Sequence, residues 1–540
     1  MTCPTPSPTG PLRRWAGRAA FAIAALAAGC ATLDPAAVPR TPSTAVADAP
    51  GSPLHTALAP RIGAEAGRSG FAVLERGLDA FVARAALADL AERGLDLQYY
   101  IVHGDTSGLL LLGRVLAAAD RGVRVRLLID DWSLADADEA LAQLDAHPSI
   151  EVRLFNPTAN RSWWTLRRWL EVAGDFGRIN RRMHNKAWIA DGAAAVLGGR
   201  NLGDEYFEAR DDLDYHDLDL LAVGAVVPQA SASFDLYWNS EFAVPLEAFR
   251  RVDPSDAQRA QVRDWFEERT RHFAGSPYAR ALNDAPLVAQ LRGGVVQLYW
   301  GQARLVADDP EKLKRREDDP ALRGADRGLL LAGQLDALAP RPRRELLVVA
   351  PYFVPGEVGV ASFSALVREG VRVRVLTNSL AANDVLPAQA GYARYREALL
   401  RGGVELHELK PGGPGREGAR RAGNPIGGSS RAALHEKSFV IDRETVFVGS
   451  LNLDPRSVRV NTEVGVLARS DALAGEVAAI FDRNASPDSA WRVVLGDDGR
   501  VAWEEAEGGT TRLLHGEPGA NAWRRFMQGV YRVIAPESLL

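Results

Sequence analysis

The chain has 540 residues, 46% of them hydrophobic and 25% charged, with 50 Gly, two Cys and a formal net charge of -5. Such a length admits two to four domains of roughly 100–200 residues and excludes a disordered or small disulfide-stapled protein, and the slightly acidic balance argues against a general nucleic-acid binder. Cys3 and Cys30 both fall near the N-terminus, so the body holds no disulfide framework and no cysteine-based zinc site.

In chain order, the first feature is an address. Residues 12–30 (LRRWAGRAAFAIAALAAGC) join a basic stretch containing Arg13, Arg14 and Arg18 to an apolar run from Ala19 to Ala28, with small residues before Cys30. That run is shorter than the ~20 residues needed to cross a bilayer as a helix, so an export signal over 1–29 is expected. Ala27-Ala28-Gly29-Cys30 resembles a bacterial lipoprotein box, which makes Cys30 the expected lipidation site. The protein is then expected in the cell envelope, membrane-anchored and facing the periplasm, with a soluble secreted or periplasmic form as the alternative. Residues 31–54 are rich in Ala, Pro, Ser and Thr without periodicity, so a flexible tether is expected over 30–60.

From there the chain repeats itself once. Leu95 to Val102 (LDLQYYIV) reads as a strand, Leu109 to Asp120 as a helix, and Gly122 opens a second strand that ends at Asp130-Asp131. About 250 residues later, Glu345 to Phe353 (ELLVVAPYF), Val360 to Glu369 and Gly370-Val-Arg-Val-Arg-Val-Leu376 follow the same order. Strand, helix, Gly, strand is the pattern of a βαβ crossover in a parallel sheet, and apolar runs such as LLVVA suit strands buried on both faces. The expected fold class is α/β with two related halves, 61–285 and 286–505, followed by a C-terminal amphipathic segment over 506–540.

The same offset recovers two chemical motifs. His184-Asn-Lys186 is followed by AWIA and Asp191, and His435-Glu-Lys437 by SFVI and Asp442, so both read H-x-K-x4-D. A glycine turn follows each, Gly198-Gly-Arg-Asn201 and Gly449-Ser-Leu-Asn452. With nine His in the chain and five Lys, H-x-K would arise ~0.08 times by chance, before Asp, Gly and Asn are asked for in register.

The flanking residues are strand-like, which predicts that each His and the Lys two positions on project from one face. Two such strands brought together would offer two imidazoles and two ammonium groups to a phosphodiester. The cations and the Asn201 and Asn452 side chains would neutralise the equatorial oxygens, one imidazole would attack phosphorus in line, and the other would protonate the leaving alkoxide, with no metal required. For the asparagines the alternative is helix capping. Asp191 and Asp442 are expected to be structural supports. Only five of the 64 basic residues are lysines, Lys186, Lys312, Lys314, Lys410 and Lys437, so Lys186 and Lys437 stand where a compact point charge serves and a planar guanidinium does not.

A nucleophilic imidazole also needs a carboxylate on its second nitrogen. Glu463, opening the apolar strand of Asn461-Thr-Glu-Val-Gly-Val, is the candidate in the second half, and Asp217, opening Asp217-Leu-Asp-Leu-Leu-Ala-Val, is its counterpart in the first. Plain spacing selects Asp212 instead, and Asp214 and Asp219 stay open.

The paired H-x-K-x4-D motifs with G-[GS]-x-N resemble the phospholipase D superfamily. Longer stretches, among them LDLQYYIVHGDTSG, HNKAWIADGAAAVLGGRNLGDEYF, DLYWNSE, LTNSLAANDV, HEKSFVIDRETVFVGSLNLDPRS and APESLL, are similar to bacterial cardiolipin synthases of the C type over roughly residues 60–540. The resemblance implies two pseudo-symmetric α/β sandwich halves with the active site between them, and no cofactor. It also implies a phosphohistidine intermediate and phosphatidyl transfer to the headgroup alcohol of phosphatidylglycerol, with phosphatidylethanolamine as a candidate donor. A phospholipase D hydrolase releasing phosphatidic acid is the alternative, and a nuclease is disfavoured by the net charge and the export signal. Gln389 stands where the resemblance would place His, which bears on substrate contacts in that loop.

Two segments interleave aromatic and basic residues as a membrane surface would require: 161–170 (RSWWTLRRWL) and, more weakly, Trp523 to Tyr531. For the second, ordinary docking of an amphipathic helix is favoured. Residues 411–430 read as a mobile basic loop, either a lid or a tolerated insertion.

Overall fold

The computed structural model describes residues 38–46, 51–133, 138–158, 171–210, 213–249, 256–271, 275, 280, 286–315, 328–412, 433–507 and 510–534. The expected export signal, Cys30, Asp212, the tryptophan-rich segment 161–170 and residues 413–430 of the expected basic loop lie outside them.

The first half contributes β1 Ser69–Leu74, β2 Gly94–Ile101, β3 Arg124–Ser133, β4 Ile150–Phe155, β5 Ala187–Ala190, β6 Ala194–Gly198, the short β7 Tyr215–His216, β8 Asp219–Gly224 and β9 Ala243–Pro245. Their order in space is β9-β4-β3-β2-β5-β6-β8-β1, with β4, β3 and β2 parallel and the other neighbours antiparallel. The second half contributes β10 Tyr299–Ala307, β11 Glu345–Val349, β12 Arg372–Asn378, β13 Glu405–Leu409, the short β14 Ala433–Leu434, β15 Ser438–Ile441, β16 Thr445–Gly449, β17 Val464–Arg469 and β18 Ala490–Leu495, with a hairpin of β19 Val501–Glu507 and β20 Thr510–His515. Here the order is β10-β17-β16-β15-β11-β12-β13-β18-β19-β20, again with three central parallel strands. The two orders correspond strand for strand, and β1 pairs antiparallel with β10 through Ser69–Phe71 and Tyr299–Gly301, so the halves form one 18-stranded sheet.

Both crossovers take the route read from the sequence. Helix Thr106–Asp120 carries β2 to β3 and helix Gly356–Arg368 carries β11 to β12. Each ends in a glycine of left-handed backbone, Gly122 at φ 93° and Gly370 at φ 88°, a conformation that stops a helix and turns the chain into the next strand. The halves share a core between them. Phe234, Tyr237 and Trp238 of helix Val226–Trp238 and Val477, Ile480 and Phe481 of helix Asp471–Asn484 pack in one cluster with strand residues of both sheets.

Three boundaries differ from the sequence reading. Part of the expected tether is docked: Ala45 N–H donates to Asp235 at 2.8 Å, Trp238 Nε1 to Ser43 Oγ at 2.9 Å, and Arg153 to the Thr41 carbonyl at 2.6 Å. Pro53–Ala64 then forms a helix capped by Ser52. These polar anchors are too local to show as hydrophobic periodicity, so composition alone suggested a coil. Helix Pro286–Arg292 lies on the first-half side of the junction, its Leu291 in the first-half core, and the second sheet begins at Tyr299. At the other end, position 506 falls inside β19, because the hairpin extends the second sheet before the C-terminal helix Ala522–Ile534 begins.

Candidate active site

The two H-x-K triplets end immediately before β5 and β15, so they occupy the entry to a strand and not its interior. What holds them extended is the opposite half. His184 N–H donates to the Thr462 carbonyl and Thr462 N–H to the Arg182 carbonyl. In the mirrored position, β14 runs parallel to β7, and His435 N–H donates to the His216 carbonyl at 2.7 Å. Each histidine is thus threaded into place by backbone from the other half.

The carboxylates cross in the same way. His184 Nδ1 lies 2.8 Å from Glu463 Oε2, and His435 Nδ1 lies 2.5 Å from Asp217 Oδ2. Among the aspartates weighed for the first half, Asp217 meets the His435 imidazole. Asp219 instead pairs with the buried Arg84 at 2.8 Å, and the Asp214 carbonyl receives Ala433 N–H. With each Nδ1 engaged, Nε2 is the ring nitrogen left for chemistry.

The lysines stand beside the rings. Lys186 Nζ donates to the His184 carbonyl at 2.7 Å, and Lys437 Nζ donates to the His435 carbonyl. All four motif side chains are buried. Burial, then the two ammonium groups, pushes both imidazoles well below their ordinary pKa. Burial also lowers Lys186 well below its usual value and Lys437 to about 8, and raises Glu463 to about 7. Burial therefore favours neutral imidazoles and weakly held ammonium protons, and a phosphate anion between them would favour the charged forms.

The two dyads are not identical in detail. Ser450 Oγ donates to Glu463 Oε2, while the matching position in the first half is Gly199, where a Cβ would fall 2.3 Å from Asp217 Oδ1. A glutamate with a serine partner and an aspartate with a glycine solve the same spacing problem.

The expected asparagines part company. Asn201 is committed at both ends, accepting from Ile101 N–H at 3.2 Å and donating to Tyr206 OH at 2.9 Å. Its amide ties β2 to the glycine turn and is unavailable to a phosphate without rearrangement. Asn452 donates to Ser457 Oγ at 3.4 Å, and its Oδ1 is buried without a partner. Neither caps the helix that follows; Asp454 caps Pro455–Arg459. The motif aspartates sit at left-handed turns after their strands. Asp191 accepts from the N–H groups of Glu92, Arg93 and Gly94, and Asp442 from those of Arg343, Arg344 and Glu345.

Sequence reasoning passed over the aromatic walls. Tyr100 packs edge-on to His184 with ring centroids 5.1 Å apart, and Tyr206 and Tyr215 flank His435 at 5.2 and 5.1 Å. Tyr215 and Tyr352 hydroxyls both donate to Asp384 Oδ2, at 3.1 and 2.9 Å. Tyr100 and Tyr352 occupy adjacent positions of the repeat at the ends of β2 and β11, a signal that a residue-by-residue alignment of the halves would carry. Gln389 is buried and accepts from Gln528 of the C-terminal helix at 2.7 Å. Among the described residues, no cluster of three His, Cys, Asp or Glu could hold a metal ion.

Two α/β halves that exchange carboxylates across paired His-Lys motifs define the architecture of the phospholipase D superfamily. The family described as "Cardiolipin synthase, PLD-like domain" matches the chain twice, over residues 86–235 and 338–485. Cardiolipin synthase C of Escherichia coli K12 is 41% identical over 90% of this chain and 99% of its own, and an uncharacterized protein of Helicobacter pylori 26695 is 30% identical over 86% and 88%. Among solved structures, phosphatidylserine synthase of Haemophilus influenzae Rd KW20 superposes with a TM-score of 0.52 over 89% of this chain and 99% of its own at 12% identity, a likeness of fold. The chain belongs to the cardiolipin synthase family of phospholipase D-like proteins, and within it is most like the C type among these relatives.

Proposed function

We propose that the protein is a phosphatidyltransferase of cardiolipin synthesis. The observation that carries the chemistry is the crossed pair of dyads, His184 with Glu463 and His435 with Asp217. The likeness over nearly the whole length of a cardiolipin synthase favours an alcohol over water as the acceptor.

In this reading a phosphatidyl donor enters with its phosphodiester between the rings, and Lys186 and Lys437 neutralise the non-bridging oxygens. His184 Nε2 forms a bond to phosphorus as the bond to the headgroup oxygen breaks, and His435, taken up in its imidazolium form once the phosphate anion is bound beside Asp217, gives its Nε2 proton to that oxygen. A hydroxyl of phosphatidylglycerol then loses its proton to His435 and attacks phosphorus, and the P–N bond breaks. Glu463 and Asp217 hold the tautomers and support the charged imidazoles. Because two ammonium groups supply the charge, turnover is expected to continue in EDTA.

The test is incubation of purified protein with phosphatidylglycerol, with and without phosphatidylethanolamine, and product analysis by mass. Cardiolipin as product supports the reading, and phosphatidic acid as the sole product overturns it in favour of hydrolysis. Loss of cardiolipin when phosphatidylethanolamine is omitted identifies that lipid as donor. The proposed cellular setting is the envelope, with Cys30 lipidated on the periplasmic side. Cys30→Ser should release the protein from membranes, and unchanged fractionation would count against the anchor.

A further inference from the structure

The C-terminal helix Ala522–Ile534 keeps several bulky apolar side chains outside. Hydrogen bonds tie down its inner side: Gln528 donates to Gln389 and to Glu517 at 2.7 and 3.0 Å, Arg524 donates to the carbonyls of Leu380 and Asn383, and Arg394 donates to the Arg532 carbonyl at 2.7 Å. Met527, Val530 and Tyr531 are half-buried, while Trp523, Phe526, Val533 and Ile534 face away. Trp523, Phe526 and Val533 are 57%, 61% and 84% exposed, and no residue of the helix is buried. Trp523, Phe526, Val530 and Val533 recur at helical spacing on one side, with the first two rings 5.8 Å apart. Burial of apolar surface normally orients such a helix the other way, so this face is shaped for a second phase.

Composition says which phase. Bulky aromatics beside the exposed Arg525 and Arg532, with no acidic residue between Ala522 and Ile534, suit the boundary of an anionic bilayer, where rings sit at headgroup depth and guanidinium groups meet phosphates. Position agrees. Arg524 holds the Asn383 carbonyl, the next residue is Asp384, its carboxylate receives Tyr215 OH, and the Tyr215 ring lies against His435. The helix therefore borders the rim of the reaction centre.

We propose that this outward face is an interfacial anchor that seats the rim of the site on an anionic phospholipid bilayer, so that lipid headgroups enter from the membrane side. Entry of lipid headgroups into the site rests on the functional reading above; attachment to the bilayer stands by itself. No described helix is long and apolar enough to cross a membrane.

The test uses the full chain and two variants, Trp523→Asp with Phe526→Asp, and Val533→Asp alone, whose side chain is too exposed to disturb packing. Cardiolipin formation is compared on vesicles of phosphatidylglycerol with phosphatidylethanolamine and on the same two lipids as monomerically dispersed short-chain forms, alongside amide hydrogen exchange of residues 522–534 with vesicles. The expected result is about a tenfold or greater loss on vesicles for the double variant, a smaller loss for Val533→Asp, and unchanged turnover of dispersed lipid. Exchange of the helix in the wild type should slow with phosphatidylglycerol vesicles and less with phosphatidylcholine vesicles. Equal losses on both substrates, no loss on vesicles, or exchange that slows with protein concentration in place of lipid would overturn the proposal, the last assigning the face to a second copy of the chain. Slowed exchange on vesicles with no cardiolipin from either substrate would sustain the anchor while removing the synthase reading.

Discussion

Asp217 of the first half supports His435 of the second across 2.5 Å, and Glu463 of the second returns the service to His184 of the first across 2.8 Å. A substitution in one half is therefore felt at the histidine of the other. Glu463→Gln should lower kcat by about 10²- to 10⁴-fold with little change in KM, as tautomer control is lost. It should also suppress trapping of a phosphoryl adduct on His184 when the donor is supplied in rapid quench. Asp217→Asn should lower kcat comparably yet leave the adduct detectable. Identical trapping in both variants would remove the assigned roles.

Gly199 and Ser450 predict an asymmetry. Gly199→Ala places a methyl group where the Asp217 carboxylate lies, so it should displace that carboxylate and cost about 10²-fold or more in kcat. Ser450→Gly removes one hydroxyl donor from Glu463 and should cost no more than about 10-fold. Steady-state kinetics on dispersed lipid measure both.

The pH profile follows from Lys437, whose ammonium burial brings to about 8. Above that pH the neutral amine cannot balance a phosphate, so kcat/KM should fall on the alkaline side from about pH 8. A bound phosphodiester stabilises the ammonium, so the limb in kcat should lie at higher pH. Lys437→Arg should remove the Lys437 share of the limb and lower the plateau, because a guanidinium does not titrate there and cannot reproduce the compact contact, leaving the titration of the buried Lys186.

Asp191 is a matter of stability. It is buried and accepts three successive backbone N–H groups, so Asp191→Ala should cost about 2–4 kcal/mol in denaturant titration and leave kcat of the folded protein near wild type. Asp442→Ala should cost less, since Asp442 is only partly buried where Asp191 is buried, and water can replace it on the freed N–H groups. A large kcat loss in a stable Asp191→Ala protein would give that residue a different role.

The two crossovers and the motif pairs were legible because their signals are local: apolar runs of strand length, a glycine after each helix, and a triplet repeated in register. The crossing of the carboxylates was not, because it joins residues that only the docking of the halves brings together. Asp217 and Asp219 stand two residues apart with the same chemistry, and Arg84, far back in the chain, decides which one is already taken. Asn201 looked like a phosphate ligand until Ile101 and Tyr206 claimed both ends of its amide. The outward apolar face of the last helix was hidden for the opposite reason, since amphipathicity in sequence does not say which side meets the protein.

The docked segment ahead of the first helix sets a length scale. Thr41, Ser43 and Ala45 are fastened to the first half, so a lipid on Cys30, as proposed, would leave only about ten residues of leash, no more than ~40 Å when fully drawn out. A mooring so short keeps the reaction centre within reach of the leaflet that holds the acyl chains and out of reach of a distant membrane. Donor and acceptor would then both be drawn in cis from the sheet of lipid to which the protein is tied.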